Sequence, residues 1–231
     1  MMNPRTAWAC VSMSVALSCS ACGTDAVPDP VPAALHSIEG GAEDAFDQAL
    51  ASNFVAVSSD ASSIRSQWTV FRPEIVTAGL PEATALEVDA ALDGLDAAVA
   101  APVSPAAVAR AANAVSAPMD VLFAVYGPPT PTAIMELDYL GRELLLDALS
   151  GDFARATSDF SALEAQWTAT RASVTGAGGA AEATQFDVIA DALRAAITSA
   201  DATALEAHAR EELNAVDALE AVFVRAADAA D

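Results

Sequence analysis

Two segments of this chain carry the same residues at the same spacing: Gln67-Trp68-Thr69-x-x-Arg72 and Gln166-Trp167-Thr168-x-x-Arg171. A tryptophan and an arginine four residues apart share one helical face, so each guanidinium can lie against its indole. Such a cation–π contact is worth about 0.5–1 kcal/mol when exposed. The functional reading is an anion or ligand pocket in each copy, built from Trp68, Arg72, Trp167 and Arg171. The structural reading, which we favour, makes the tryptophans core anchors and the arginines cover for the core's edge.

His36 and His208 are the two histidines. His208 and Glu212 are also four apart, and a histidine with a carboxylate on one face can share a divalent cation. The paired Glu-x-x-His motifs of a di-metal bundle are missing from the sequence. The expectation is therefore no cofactor, with a divalent metal at His208 and Glu212 as the alternative. Asp138-Tyr139-Leu140-Gly141-Arg142-Glu143 is the most polar stretch of a segment that otherwise reads as buried. Asp138 and Arg142 can pair across one helical turn, and Tyr139 is a candidate ligand contact or a contact between units.

Catalytic motifs are lacking. The chain has no Gly-rich phosphate loop, no Gly-x-Ser-x-Gly elbow, no His-Glu-x-x-His and no Cys-x-x-Cys-His. Residues 23–231 contain no cysteine, so they offer no thiol nucleophile. These readings predict a non-catalytic protein.

The elements that must position these residues follow from periodicity. Apolar residues recur at alternating steps of three and four along Phe54, Val57, Ala61, Ile64, Trp68, Phe71 and Ile75. The same pattern returns in Phe153, Ala156, Phe160, Leu163, Trp167, Thr170 and Val174. Steps of this kind place every side chain on one helical stripe. The preceding segments match in the same way, Leu35, Ile38, Ala42, Ala45 and Ala49 against Ile134, Leu137, Gly141, Leu144 and Ala148.

This register, an offset of 99 residues, aligns prolines, phenylalanines, tryptophans and arginines together, which defines a tandem duplication. It then slips by one or two. A third helix reads through Leu86, Leu92 and Val99 against Phe186, Leu193 and Ala200. A fourth reads through Ala112, Val115 and Leu122 against Leu213, Val216 and Phe223, with Asn113 matching Asn214. Punctuation by Gly79-Leu80-Pro81, Pro102, Gly127 to Pro131 and Gly176 to Gly179 separates the helices. Asp152 reads as an N-cap.

The composition agrees, with 54% hydrophobic but only 6% aromatic residues, the difference supplied mostly by alanine, the best helix former. The predicted fold is all-α: a tandem duplication of a four-helix antiparallel bundle-like unit, eight helices in total. Units at 33–126 and 132–231 flank a proline-rich joint at 127–131. The two bundles could stand in tandem or pack as one eight-helix assembly about a pseudo-two-fold axis.

The charge balance, 32 acidic residues against 10 basic for a net charge of -22, repels a phosphate backbone and predicts no nucleic-acid binding. At the N-terminus, Arg5 precedes the apolar stretch from Thr6 to Leu17 and small residues follow, which is the pattern of a secretory signal over residues 1–18. The stretch Ala16-Leu17-Ser18-Cys19-Ser20-Ala21-Cys22-Gly23 resembles the lipobox of bacterial lipoproteins. That resemblance covers about the first tenth of the chain and implies lipidation at Cys19, with Cys22 as the alternative. It also implies an exported protein held on the periplasmic side of a bacterial membrane. Residues 19–32 would then be the lipidated N-terminus and a stiff tether, since Pro28, Pro30 and Pro32 favour extended polyproline II. The functional expectation is an envelope-anchored binding or structural module that meets an envelope protein. The alternative is a periplasmic carrier of a divalent cation or small ligand.

Overall fold

The computed structural model describes residues 31–80 and 82–229. The signal, the lipobox-like segment with Cys19 and Cys22, and most of the tether lie outside them. Among the described residues all regular structure is helical. In the first copy the helices are α1 (Ala33–Leu50), α2 (Phe54–Phe71), α3 (Glu74–Ala78), α4 (Glu82–Ala100), α5 (Pro105–Ser116) and α6 (Met119–Ala124). The second copy has α7 (Thr132–Ser150), α8 (Phe153–Gly176), α9 (Ala180–Ser199) and α10 (Ala202–Asp228). Eight of these are principal helices, and α3 and α6 are short.

Local chemistry explains the boundaries. Side chains of Asn53, Ser104, Asp152 and Asp201 each accept a backbone N–H at a helix start, which satisfies donors that the helix itself leaves unpaired. Asn53 and Asp152 are counterparts in the duplication. The copies differ at proline. Pro73 ends α2 and leaves α3 as a separate turn, whereas α8 runs through the matching region to Gly176. Pro118 separates α5 from α6, whereas α10 continues unbroken for 27 residues. A proline lacks the N–H that an interior position requires and clashes with the preceding turn.

In each copy four helices close a ring, α1–α2–α4–α5 and α7–α8–α9–α10, with neighbours packed along their apolar stripes. The α2 stripe is buried as read, from Val57 through Trp68 to Phe71, and so is its counterpart in α8 from Ala156 to Val174. The third-helix register requires correction. Leu86 is 56% exposed while Phe186, which the sequence alignment set opposite it, is 0% exposed. The buried residues Ala85, Val88, Leu92 and Leu95 correspond instead to Ala183, Phe186, Ala190 and Leu193. The fourth-helix match also fails at one point, since Asn113 is buried and Asn214 is exposed.

The rings meet along a seam. Helix α7 packs on α5 and α6 as well as on α8 and α10, and α1 also touches α6. Buried apolar residues of both copies form one continuous cluster. Helix α7 is thus enclosed on most sides, and its polar stretch is buried with it: Arg142, Glu143 and Asp147 are among the buried charged residues.

Candidate functional site

The duplicated tryptophan–arginine segments come first because the sequence singles them out. Trp68 and Trp167 are 2% and 6% exposed and lie in the core, as the anchor reading expects. Neither arginine rests on its indole. In the first copy Asp89 of α4 accepts the Trp68 indole N–H at 2.7 Å and the Arg72 Nε at 2.9 Å. In the second copy Asp187 of α9 accepts Trp167 at 2.8 Å and Arg171 through two nitrogens. The Arg171 guanidinium holds the Asp187 carboxyl below its usual range, with the indole N–H assisting. These aspartates pin the second helix of each ring to the third, so the motif is a clasp. The cation–π contacts among the described residues are elsewhere, Arg142 over Phe46 and Arg194 over Phe160.

His208 and Glu212, the sequence's candidate metal pair, have different surroundings. His208 Nδ1 sits 2.8 Å from Glu211, while Glu212 is 0% exposed on the interior side of α10. Three residues separate His208 from Glu211 and four from Glu212, and the helix turns these two carboxylates to different sides. His36, in α1, stacks perpendicular to Phe123, with 5.1 Å between ring centroids.

The charged groups that do converge lie on the seam, in two clusters. In one, Arg110 of α5 donates to both Glu143 and Asp147 of α7, and Arg155 of α8 donates to Glu143 at 2.7 Å. Asn113 adds bonds to Glu143 and to the Tyr139 carbonyl. Glu143, Asp147 and Asp159 bring oxygens within 4.8 Å of one another, a spacing that suits a cation. The guanidiniums of Arg110 and Arg155 supply the positive charge there. Burial, followed by the nearby Glu143, pushes the Tyr139 hydroxyl up to about 12.

The second cluster joins α1, α7 and α10. Arg142 donates to Glu43 at 2.6 Å and pairs with Asp138 at 2.5 Å, which realises the one-turn pair seen in the sequence. Glu39, Glu212 and Glu220 complete it, giving five carboxyls to one guanidinium. Burial, then Glu43 and Asp138, pushes Glu39 up to about 8. Burial pushes Asp138 up to about 7 against the pull of Arg142, and it also raises Glu220. Glu212 rises well above the ordinary range, from burial first and Asp138 second. Both of its carboxyl oxygens are buried without a hydrogen-bond partner. Its carboxyl rests on the α7 backbone at Gly141, where an added Cβ would fall 1.8 Å from Oε2. A side chain at 141 would have to displace the Glu212 carboxyl.

Beside this cluster a groove of about 430 Å³ opens between α1, α7 and α10. Its lining includes Glu43, Asp47, Asp138, Asp217, Arg142 and Arg210. Sequence reasoning found Asp138, Arg142 and Glu212 but missed Glu39, Glu43, Asp47, Asp217 and Glu220 as parts of one site. The available signal was the polar run 138–143 inside an apolar helix. Nothing local to α1 or α10 indicated that they face it.

No protein-family model matches the chain, and comparisons with curated proteins and with solved structures return no match. Among the described residues no helix is long and apolar enough to cross a membrane.

Proposed function

We propose that this chain is a non-catalytic binding module, held at the bacterial envelope through a lipidated N-terminal cysteine, and that the seam between its two copies is the recognition face. The observation that carries the reading is the groove of about 430 Å³ at the junction of α1, α7 and α10. It lies within the size range of small-molecule sites and presents charged side chains on a helical scaffold. Rigid helices on all sides suit it to presenting a fixed surface. The lipobox-like residues before the tether support the envelope address.

The test is a photoreactive residue placed at Asn214, which lines the groove, and separately at Val103, 91% exposed and outside the groove lining. Irradiation of intact cells that make the protein should give a discrete adduct from position 214 and none from 103. No adduct at 214, or the same adduct from both positions, overturns the seam as the recognition face. For the anchor, Cys19→Ser or Cys22→Ser should move the protein from the membrane fraction to the soluble one. Retention in both variants overturns lipidation.

A further inference from the structure

We infer that the first copy carries a further binding site, a slot between α2 and α4 that takes an aromatic ring bearing an alkylammonium group. The slot shares no lining residue with the seam groove, so it stands or falls apart from the seam.

The duplication shows what the slot lacks. In the second copy Phe160 of α8 is 5% exposed, and the Arg194 guanidinium of α9 lies over its ring, 5.5 Å from the centroid. The residue that matches Phe160 in α2 is Ala61. The correspondence that sets Leu95 against Leu193 continues along the third helices and sets Val99 against Ile197, a further loss of volume. Where the second copy has a ring, the first has a cavity of about 450 Å³, with Ala61 as its buried floor and Val99 in its wall. Phe54 and Val55 complete the apolar lining, so an entering ring meets an aromatic partner and aliphatic surface. The cavity is within the size range of small-molecule sites and has room for a ring with a short chain.

Charge is an independent observation. In the second copy Arg194 pairs with Glu164 of α8 and Asp191 of α9. The first copy has the same three positions with the arginine moved. Arg65 of α2 stands for Glu164 and Asp96 of α4 stands for Arg194, and Arg65 bonds Asp93 at 2.9 Å and Asp96 at 2.7 Å. A cation therefore covers the ring in the second copy, whereas a carboxylate lines the slot in the first. One guanidinium between two carboxylates leaves one negative charge beside the slot. A ligand that brings both a ring and an ammonium supplies there what Phe160 and Arg194 supply in the other copy.

The test is titration of phenethylamine into the full-length protein in mild detergent, read by calorimetry and by melting temperature. One saturable site and a raised melting temperature are expected, since a ligand that binds only the folded state stabilises it. Ala61→Phe puts the second copy's ring into the slot. It should weaken binding at least tenfold while the melting temperature holds or rises, as cavity filling does. Asp96→Asn changes a side chain that is 48% exposed and leaves Arg65 its bond to Asp93. It should weaken phenethylamine at least threefold and leave the neutral phenethyl alcohol within twofold. Undiminished binding in folded Ala61→Phe overturns the slot as the site. Undiminished phenethylamine binding in Asp96→Asn also overturns the inference, so it is tested even if Ala61→Phe does not fold. Hexylamine binding as tightly as phenethylamine overturns the ring, and phenethyl alcohol binding as tightly overturns the ammonium. Equal loss in Asp96→Asn and in Glu87→Gln, an exposed acid outside the slot, overturns the inference and marks diffuse attraction to a chain of net charge -22.

Discussion

Arg142 pairs with Glu43, the residue that holds its own position in the first copy. Their separation of 99 residues is the offset of the duplication itself. A residue that touches its counterpart lies close to the axis relating the two copies. With identical copies, the same charge would meet itself there, at a half-buried place where like charges repel strongly. Glutamate on one side and arginine on the other turn that repulsion into an ion pair, which a fused duplication can do and a symmetric dimer cannot.

Arg142→Glu restores the identical pair, so it tests this account directly. Arg142 is the one guanidinium among the five carboxyls of its cluster, and removing one partner of a buried pair costs roughly 3–5 kcal/mol. We expect a loss of at least that size in urea unfolding followed by circular dichroism. The swap Glu43→Arg/Arg142→Glu should recover about half of it, since Asp138 still opposes a glutamate at position 142. No recovery in the swap would show that the two positions are not coupled.

The pH dependence follows from the same seam. Glu39 rises from 4.5 to about 8 and Asp138 from 3.8 to about 7, and Glu212 also rises. The groups facing one another are Glu39 and Glu43 on α1, Asp138 and Arg142 on α7, and Glu212, Asp217 and Glu220 on α10. Raised folded values mean that the folded state holds more protons than the unfolded one between the two sets of values. The stabilising contribution is complete below the unfolded values and is lost as pH rises through the folded ones. The melting temperature should therefore fall from about pH 5 to about pH 8. Glu212→Gln, which cannot ionise, should flatten that fall. Asp187 has the opposite sign, but its contribution is lost only on acidification below 3.8, outside this window. A flat or rising melting curve between those pH values would contradict the buried seam protons.

The clasp makes a prediction with an internal replicate. Asp89 and Asp187 each receive an indole N–H from a tryptophan in the core. Asp89→Ala or Asp187→Ala leaves that donor buried and unpaired, which costs about 1–3 kcal/mol. Asp89→Asn and Asp187→Asn keep an oxygen for the indole and should lose less. Tryptophan fluorescence during urea unfolding reads both. Equal losses for alanine and asparagine would show that the arginine, and not the indole, is what each aspartate serves.

Why the clasp was hidden from the sequence is instructive. Trp68 and Arg72 were visible as a pair because they fall within one helical turn and repeat in the 99-residue register. Asp89 and Asp187 repeat too, but the loop before the third helix changes length, and matching Glu82-Ala83-Thr84 to Glu182-Ala183-Thr184 shifted the register the wrong way. The stripes of α1, α2, α7 and α8 were legible because burial of one face dictates a period. The seam was legible only as a polar run in α7. Its partners on α1 and α10 come from far along the chain, and polar residues there read as solvated faces until the rings are packed together. Arg110 is the sharpest case: it lies 37 residues from Asp147, in an unremarkable alanine-rich helix.

The last prediction concerns a position where the two copies solved one problem differently. The turn from α7 to α8 passes through Gly151 in the left-handed conformation, φ 69°. Its counterpart between α1 and α2 is Ser52, at φ 61°. Glycine adopts this conformation without steric cost, whereas a side chain costs about 1–2 kcal/mol there. Part of any gain from glycine is returned through the greater freedom of the unfolded chain. Ser52→Gly should therefore stabilise the protein by about 0.5–1 kcal/mol, and Gly151→Ser should destabilise it by a similar amount. Chemical denaturation should therefore move in opposite directions for the two variants. If Ser52→Gly instead lowers stability, the serine side chain is contributing more to the turn than the left-handed backbone costs.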